Sequence, residues 1–149
     1  PHNPRSPHMR FMLIPRPSTI EPTHSDAPFD EAVFIAQMKY NEEMHKAGVL
    51  IASEGLSPSP GAHVVFKDGK STVKDGPYAE TKELIGGFYV LEVKSREEAI
   101  EWARRYPGGM GNDDVMEVRP LTGTNDIPPE LVKLIEKVAP TWSQTFKTS

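Results

Sequence analysis

Five ionisable side chains fall within the nine residues Asp75-Gly76-Pro77-Tyr78-Ala79-Glu80-Thr81-Lys82-Glu83, and the run closes on Gly86-Gly87-Phe88-Tyr89. Loops held between rigid elements concentrate binding and catalytic groups, and a carboxylate fixed beside a turn is suited to general acid/base work. Asp75 is the first candidate for that role. The competing role is turn capping, in which its carboxylate accepts backbone N–H bonds while Gly76 and Pro77 shape the chain. Glu80 and Lys82 lie two apart, so they share a face on a strand and diverge on a helix. Lys82 is a candidate anchor for an anionic substrate, with Glu80 and Tyr78 beside it as positioning groups. The alternatives are a half-buried loop anchor for Tyr78 and, for Glu80, Lys82 and Glu83, a solvated charge run or intersubunit ion pairs, each worth about 0–1 kcal/mol when exposed.

A second carboxylate, Glu54, follows Ile51-Ala52-Ser53 at a strand end and precedes Gly55. Placed beside Asp75 it would push one of the two pKa values up and give an acid/base couple. His63 opens a short strand and is kept as a substrate-binding candidate against the commoner surface role. His24 falls in a loop and His45 late in a helix. These histidines show no HxH or HxxxH spacing, so no metal is expected. Gly108-Gly109-Met110-Gly111 follows a helix instead of opening one, so it reads as a turn and not a dinucleotide loop. No cofactor is expected.

The bulk composition narrows the classes. The chain has 149 residues, enough for one domain with a real core. Its net charge is −4 without a Lys/Arg cluster, which argues against nucleic acid as a partner. There is no cysteine, so disulfides, thiolate metal sites and a cysteine nucleophile are all excluded, and a reducing cytoplasm fits. No apolar run approaches the ~20 residues that span a bilayer. Residues 1–8, Pro/His/Ser-rich and without periodicity, read as an expression-tag remnant ahead of Met9.

The elements that must position these groups follow from local pattern. Met9–Ile14 is a strand stopped by Pro15 and Pro17. A helix opens near Pro28 with Asp26 as cap, and Val33, Ala36, Tyr40, Met44 and Ala47 recur at helical spacing until Gly48. Val49–Ala52 is a strand, and His63–Phe66 with Ser71–Val73 flank the hairpin dipeptide Asp68-Gly69. Phe88–Val93 is the most strand-like run. Ser95 with Glu98 forms a capping box for a helix whose stripe is Ala99, Trp102, Ala103 and Tyr106. Val115–Val118 is the last strand. A C-terminal helix spans about 128–139, with Leu131, Leu134, Ile135 and Val138 on one face, expected to pack on its own domain. The order β-α-β-(ββ)-β-α-β-α is that of an α+β, ferredoxin-like split βαβ sandwich, with residues 9–121 as the domain and 122–149 as an extension. Phe88–Val93 is apolar on both faces, Tyr89, Leu91 and Val93 on one and Phe88 and Val90 on the other. A sheet with one solvated face alternates more cleanly, so a homodimer packed sheet against sheet is expected.

The motif Asp75-Gly76-Pro77-Tyr78-x-Glu80-x-Lys82-Glu83-x-x-Gly86-Gly87-Phe88 resembles the DGPF branch of the YCII-related family. So do Glu98-Ala99, Trp102-Ala103, Ala47-Gly48-Val49-Leu50, Glu54-Gly55-Leu56 and Glu117-Val118-Arg119-Pro120. Tyr78 replaces the usual Phe. The resemblance implies a dimeric α/β barrel. Some DGPF proteins are encoded beside, or fused to, extracytoplasmic-function sigma factors, and a few YCII-like relatives resemble small-molecule enzymes, including a dehydrochlorinase, with a His–Asp pair as the suspected acid/base. The histidine of that pair lies roughly level with Gln37 to Tyr40, where this chain has none. Two functions are therefore carried forward. One is cofactor-free acid/base chemistry on a small molecule, anionic if Lys82 anchors it, in a sheet–helix cleft. The other is a non-catalytic ligand-sensing or protein-interaction module linked to transcriptional regulation.

Overall fold

A computed structural model describes residues 8–16, 30–57, 61–76 and 86–146, with only the backbone of 75 and 76. Four strands build the main sheet: β1 (Met9–Arg16), β2 (Leu50–Gly55), β5 (Gly87–Val93) and β6 (Val115–Pro120), in the order β2-β5-β1-β6. Every pairing is antiparallel, so β1 and β2 run parallel with β5 between them. This is the split βαβ arrangement anticipated from the element order. Helix α1 (Glu31–Lys46) joins β1 to β2, and α2 (Arg96–Arg104) joins β5 to β6. Between β2 and β5 the chain forms a separate two-stranded hairpin, β3 (Gly61–Lys67) and β4 (Lys70–Gly76). Asp68 and Gly69 both take positive φ at its tip, the backbone a two-residue hairpin turn demands.

The core lies between the sheet and the two crossover helices. Leu91 sits opposite Phe11 on one side and Leu50 on the other. Tyr89 is likewise flanked by Leu13 and Ser53. With Val93, these inward positions of β5 are buried, and Leu13, Leu91, Met44 and Ala99 have no solvent exposure. Met116 and Val118 of β6 pack against the same cluster. Phe88 and Val90, on the other face, are half-buried. Burial therefore alternates along this strand although its sequence is apolar on both faces, with the helix-facing set as the core.

Local signals account for the helices, with two differences in their caps. Asp30, not Asp26, caps α1, its carboxylate accepting the Val33 N–H at 3.1 Å. Asp26 and Pro28 lie outside the described residues. Ser95 caps α2 by accepting the Glu98 N–H at 3.1 Å, but Glu98 accepts from the Lys94 N–H at 2.8 Å instead of from Ser95 itself. Along α1, Tyr40 and Met44 are buried, whereas Ala47 is the exposed C-cap. The two helices are tied by Tyr40, whose hydroxyl donates to the Trp102 carbonyl at 2.6 Å. Arg105 adds an ion pair to Glu43 and lies over the Trp102 ring, 4.3 Å from its centroid.

The C-terminal part departs from expectation. Helix α3 (Pro129–Val138) forms where its pattern places it, yet none of its residues is buried. Leu131, Leu134 and Val138 are 46%, 50% and 74% exposed, so the apolar face does not pack on the domain. Its packing is to a short helix that the sequence pattern did not reveal, α4 (Trp142–Phe146).

Leu91 joins three strands and touches no solvent, so its truncation should leave a cavity the sheet cannot collapse to fill. Leu91→Ala is expected to lower stability by about 2–5 kcal/mol, measured as a shift in the urea unfolding midpoint at constant slope.

Candidate functional site

Beside the core, the open end of the sheet and the connection after α2 enclose a cavity of about 400 Å³. That is within the range of small-molecule sites, roughly 300–1,000 Å³. Helix α1 supplies Gln37, Met38 and Asn41; β2 supplies Ser53, Glu54 and Gly55; and the start of β5 supplies Gly86 through Tyr89. The far wall is Tyr106, Gly108, Gly109, Met110 and Asp114, with Pro15 of β1 closing one side.

Two glycines make room for this arrangement. Gly87 pairs with Gly55, and a β-carbon on Gly87 would stand 2.7 Å from the Glu54 carbonyl oxygen. That is closer than a real β-carbon approaches, so any side chain there forces β2 away from β5 at the mouth. At Gly108 a β-carbon would meet the Tyr106 ring at 2.1 Å. The Pro107-Gly108-Gly109 turn therefore ends α2 and also leaves space for the Tyr106 phenol over its own backbone.

Tyr40, Tyr89 and Tyr106 form a triangle of edge-on ring contacts, with centroids 5.7 to 6.0 Å apart. Edge-to-face pairs of this kind are favourable beyond simple burial. Burial pushes the Tyr89 phenol up to about 12, and the neighbouring Tyr106 phenol adds to the rise. Burial also holds Tyr40 well above the ordinary phenol range, helped by Tyr89 and opposed by Arg105. Tyr106 is raised by burial as well, opposed by its hydrogen bond with Gln37. All three are neutral hydroxyls at neutral pH. Gln37 Nε2 donates to the Tyr106 oxygen at 3.2 Å, which orients the phenol while leaving its own proton to donate.

Of the residues nominated from sequence, Glu54 lines the cavity. Asp75 is placed only as a backbone position of β4, paired with Ala62; its side chain and the whole of Tyr78, Glu80 and Lys82 lie outside the described residues. His63 is exposed on the hairpin opposite Lys74 and is not among the cavity residues. Among the described residues no group of three or more His, Asp or Glu is arranged to hold a metal, and no helix is long and apolar enough to cross a membrane. Sequence reasoning missed Gln37, Asn41 and Tyr106 as site residues. The available signal was the i, i+4 spacing of Gln37 and Asn41, which puts two amides on one face beside the apolar stripe. Gly108 to Met110, read as a turn, form a bend at Gly108 followed by irregular chain, and all three wall the cavity.

The strand order and the cavity between helix and sheet define a ferredoxin-like α+β protein with a small-molecule-sized cleft. The YCII-related domain family matches residues 9–124, and the chain belongs to that family. It is similar to an uncharacterized protein of Rhizobium meliloti (strain 1021), 38% identical over 86 residues. That match covers 57% of this chain and 66% of the relative, just under two thirds of its length.

The tyrosine triangle makes stability depend on alkaline pH. A phenol has an unfolded-state pKa of about 10. Because the folded protein holds these protons more tightly, their contribution is fully present below pH ~10 and is lost as pH rises from there through Tyr89's value of about 12. The urea midpoint should therefore fall across that window. Native tyrosinate absorbance should also appear at higher pH than in the urea-unfolded chain; coincident titration curves would contradict the assignment.

Proposed function

We propose that the chain binds a small molecule in this cavity, with Glu54 and Asp75 as the carboxylates through which a proton is exchanged, and with no cofactor. The observation that carries the reading is a single space of about 400 Å³ lined by both Glu54 and Tyr106, the phenol of the latter oriented by Gln37. A carboxylate that takes a proton and a phenol that donates to the charge left behind are the minimum for acid/base chemistry without a metal. Asp75 is nominated by the sequence motif. Tyr78, Glu80, Lys82 and His63 remain positioning candidates by the same motif and by their place in the chain. Glu54→Gln and Asp75→Asn, each made alone, should reduce turnover of a substrate found by thermal-shift screening by about 10²-fold or more. Full activity in both variants would dismiss the couple.

The site is built within one subunit, and the subunit is read as half of a homodimer. Support comes from the sheet face away from the helices, where Phe88 and Val90 are half-buried and Ile51 and Val115 are exposed. The β3–β4 hairpin adds to this, with Phe66 79% exposed and Val64 and Val73 more than half exposed. An isolated two-stranded hairpin is marginal in water, so a second copy that covers it gives it the packing it lacks. Light scattering on a size-exclusion peak should return twice the chain mass; a monomer at micromolar concentration would overturn the dimer.

The ligand-sensing or interaction-module reading, linked to transcriptional regulation in the DGPF branch, is favoured by a different observation. It is the exposed Leu131, Leu134 and Val138 on α3.

A further inference from the structure

The register of β2 on β5 sorts the cavity wall between the two faces of the sheet. Ser53 is paired with Tyr89, and Glu54 with Phe88. Side chains alternate along a strand, so Ser53 and Tyr89 face the helices while Glu54 and Phe88 face away. Tyr106 meets the Tyr89 ring edge-on, with centroids 6.0 Å apart. Ser53, Tyr89 and Tyr106 thus bring three hydroxyls to the helix side of the cavity, which all three residues line.

Hydrogen bonding decides what the two phenols offer. Tyr40, the third member of the triangle, already gives its proton to the Trp102 carbonyl. The Tyr106 oxygen accepts from Gln37 Nε2 at 3.2 Å, so its own proton is directed elsewhere. Among the described residues no acceptor stands against that proton, and none against the proton of Tyr89. Tyr89 is buried as a residue, yet its oxygen is not one of the polar atoms sealed from solvent without a partner. It therefore reaches the open space. Burial and the mutual proximity of the phenols oppose ionisation of Tyr89, and burial opposes that of Tyr106, so both remain donors at neutral pH. Two such donors side by side suit one acceptor with two lone pairs and no proton of its own, which a carbonyl oxygen is.

Resting on the reading of this cavity as the ligand site, and on neither of the carboxylates assigned to it, we infer that the ligand is a ketone or aldehyde whose oxygen accepts from the Tyr89 and Tyr106 hydroxyls. Ser53 stands beside them as a third hydroxyl. Neutral donors fixed around such an oxygen also stabilise it when negative charge develops there, which suits a carbonyl compound that exchanges a proton at the neighbouring carbon.

Two probes of the same shape test this on the full chain. Acetophenone, isotope-labelled at its carbonyl carbon, carries the acceptor, and α-methylstyrene replaces the oxygen with a methylene. Titrated at neutral pH against amide NMR resonances, acetophenone should shift Ser53, Tyr89 and Tyr106 saturably and bind about 10-fold tighter than α-methylstyrene. Its carbonyl carbon resonance should move downfield on binding. Tyr89→Phe and Tyr106→Phe keep the rings and so the packing; each should remove part of the downfield shift and part of the preference, and the double variant should remove both. Unchanged α-methylstyrene affinity in these variants would show that their cavity is intact and that the loss belongs to the hydroxyls. Equal affinities for the two probes, or a downfield shift that survives in the double variant, would overturn the carbonyl assignment and leave the cavity as the ligand site. No saturable shift at the cavity from either probe would overturn the cavity reading itself, and the proposal with it.

Discussion

Strand β5 is hydrogen-bonded along both edges, to β1 and to β2, and its register decides what faces the helices and what faces away. Side chains on a strand alternate, so a slip of one residue would turn Tyr89, Leu91 and Val93 out of the core and Phe88 and Val90 into it. Two neighbours fix the register from opposite sides, with Leu91 against Phe11 and Leu50. The same register sets Gly87 against Gly55, and so brings the strand's first residues to the mouth of the cavity. Core and site are thus consequences of one alignment. The helices respond to it: Tyr40 meets the Tyr89 ring and reaches past it to the Trp102 carbonyl, locking α1 to α2 over the strand.

The tyrosine triangle mediates between core and site. Each ring contributes apolar area to the packing, and each hydroxyl must find a partner or reach an open space. Tyr40 finds the Trp102 carbonyl and is closed off. Tyr106, held by Gln37, sits on the cavity wall. The boundary between structural and chemical roles therefore runs through a cluster of three identical residues and is drawn by their hydrogen-bond partners.

Much of this was legible in the sequence because it is governed by local rules. Periods of 2 and 3.6, the Asp68-Gly69 turn and the Ser95 cap report directly on backbone geometry, and the element order then fixes the sheet order. Asp30 displaced Asp26 as cap because the choice among nearby acids depends on where the helix starts, which the periodic stripe locates only loosely. The amphipathic pattern of α3 showed that an apolar face exists but carried no information on what covers it. Helix α4, with five residues, is too short to show a period. Glu54 was recoverable as an acid at a strand end. Gln37 and Asn41 left only their i, i+4 spacing as a signal and Tyr106 left none, and their meeting is a non-local result of the β5 register and the chain after α2.

The close approaches at Gly87 and Gly108 have a consequence for how natural variation would be read. The packing at the cavity wall leaves no room for a β-carbon at two positions, one between paired strands and one beneath an aromatic ring. Its most intolerant positions therefore carry no functional group at all. An acid on the wall such as Glu54 can be exchanged for an amide of the same shape with the chamber intact, whereas a single methyl group at Gly87 drives β2 and β5 apart at its mouth. A survey of tolerated substitutions would trace this site through its glycines before it traced it through its acids.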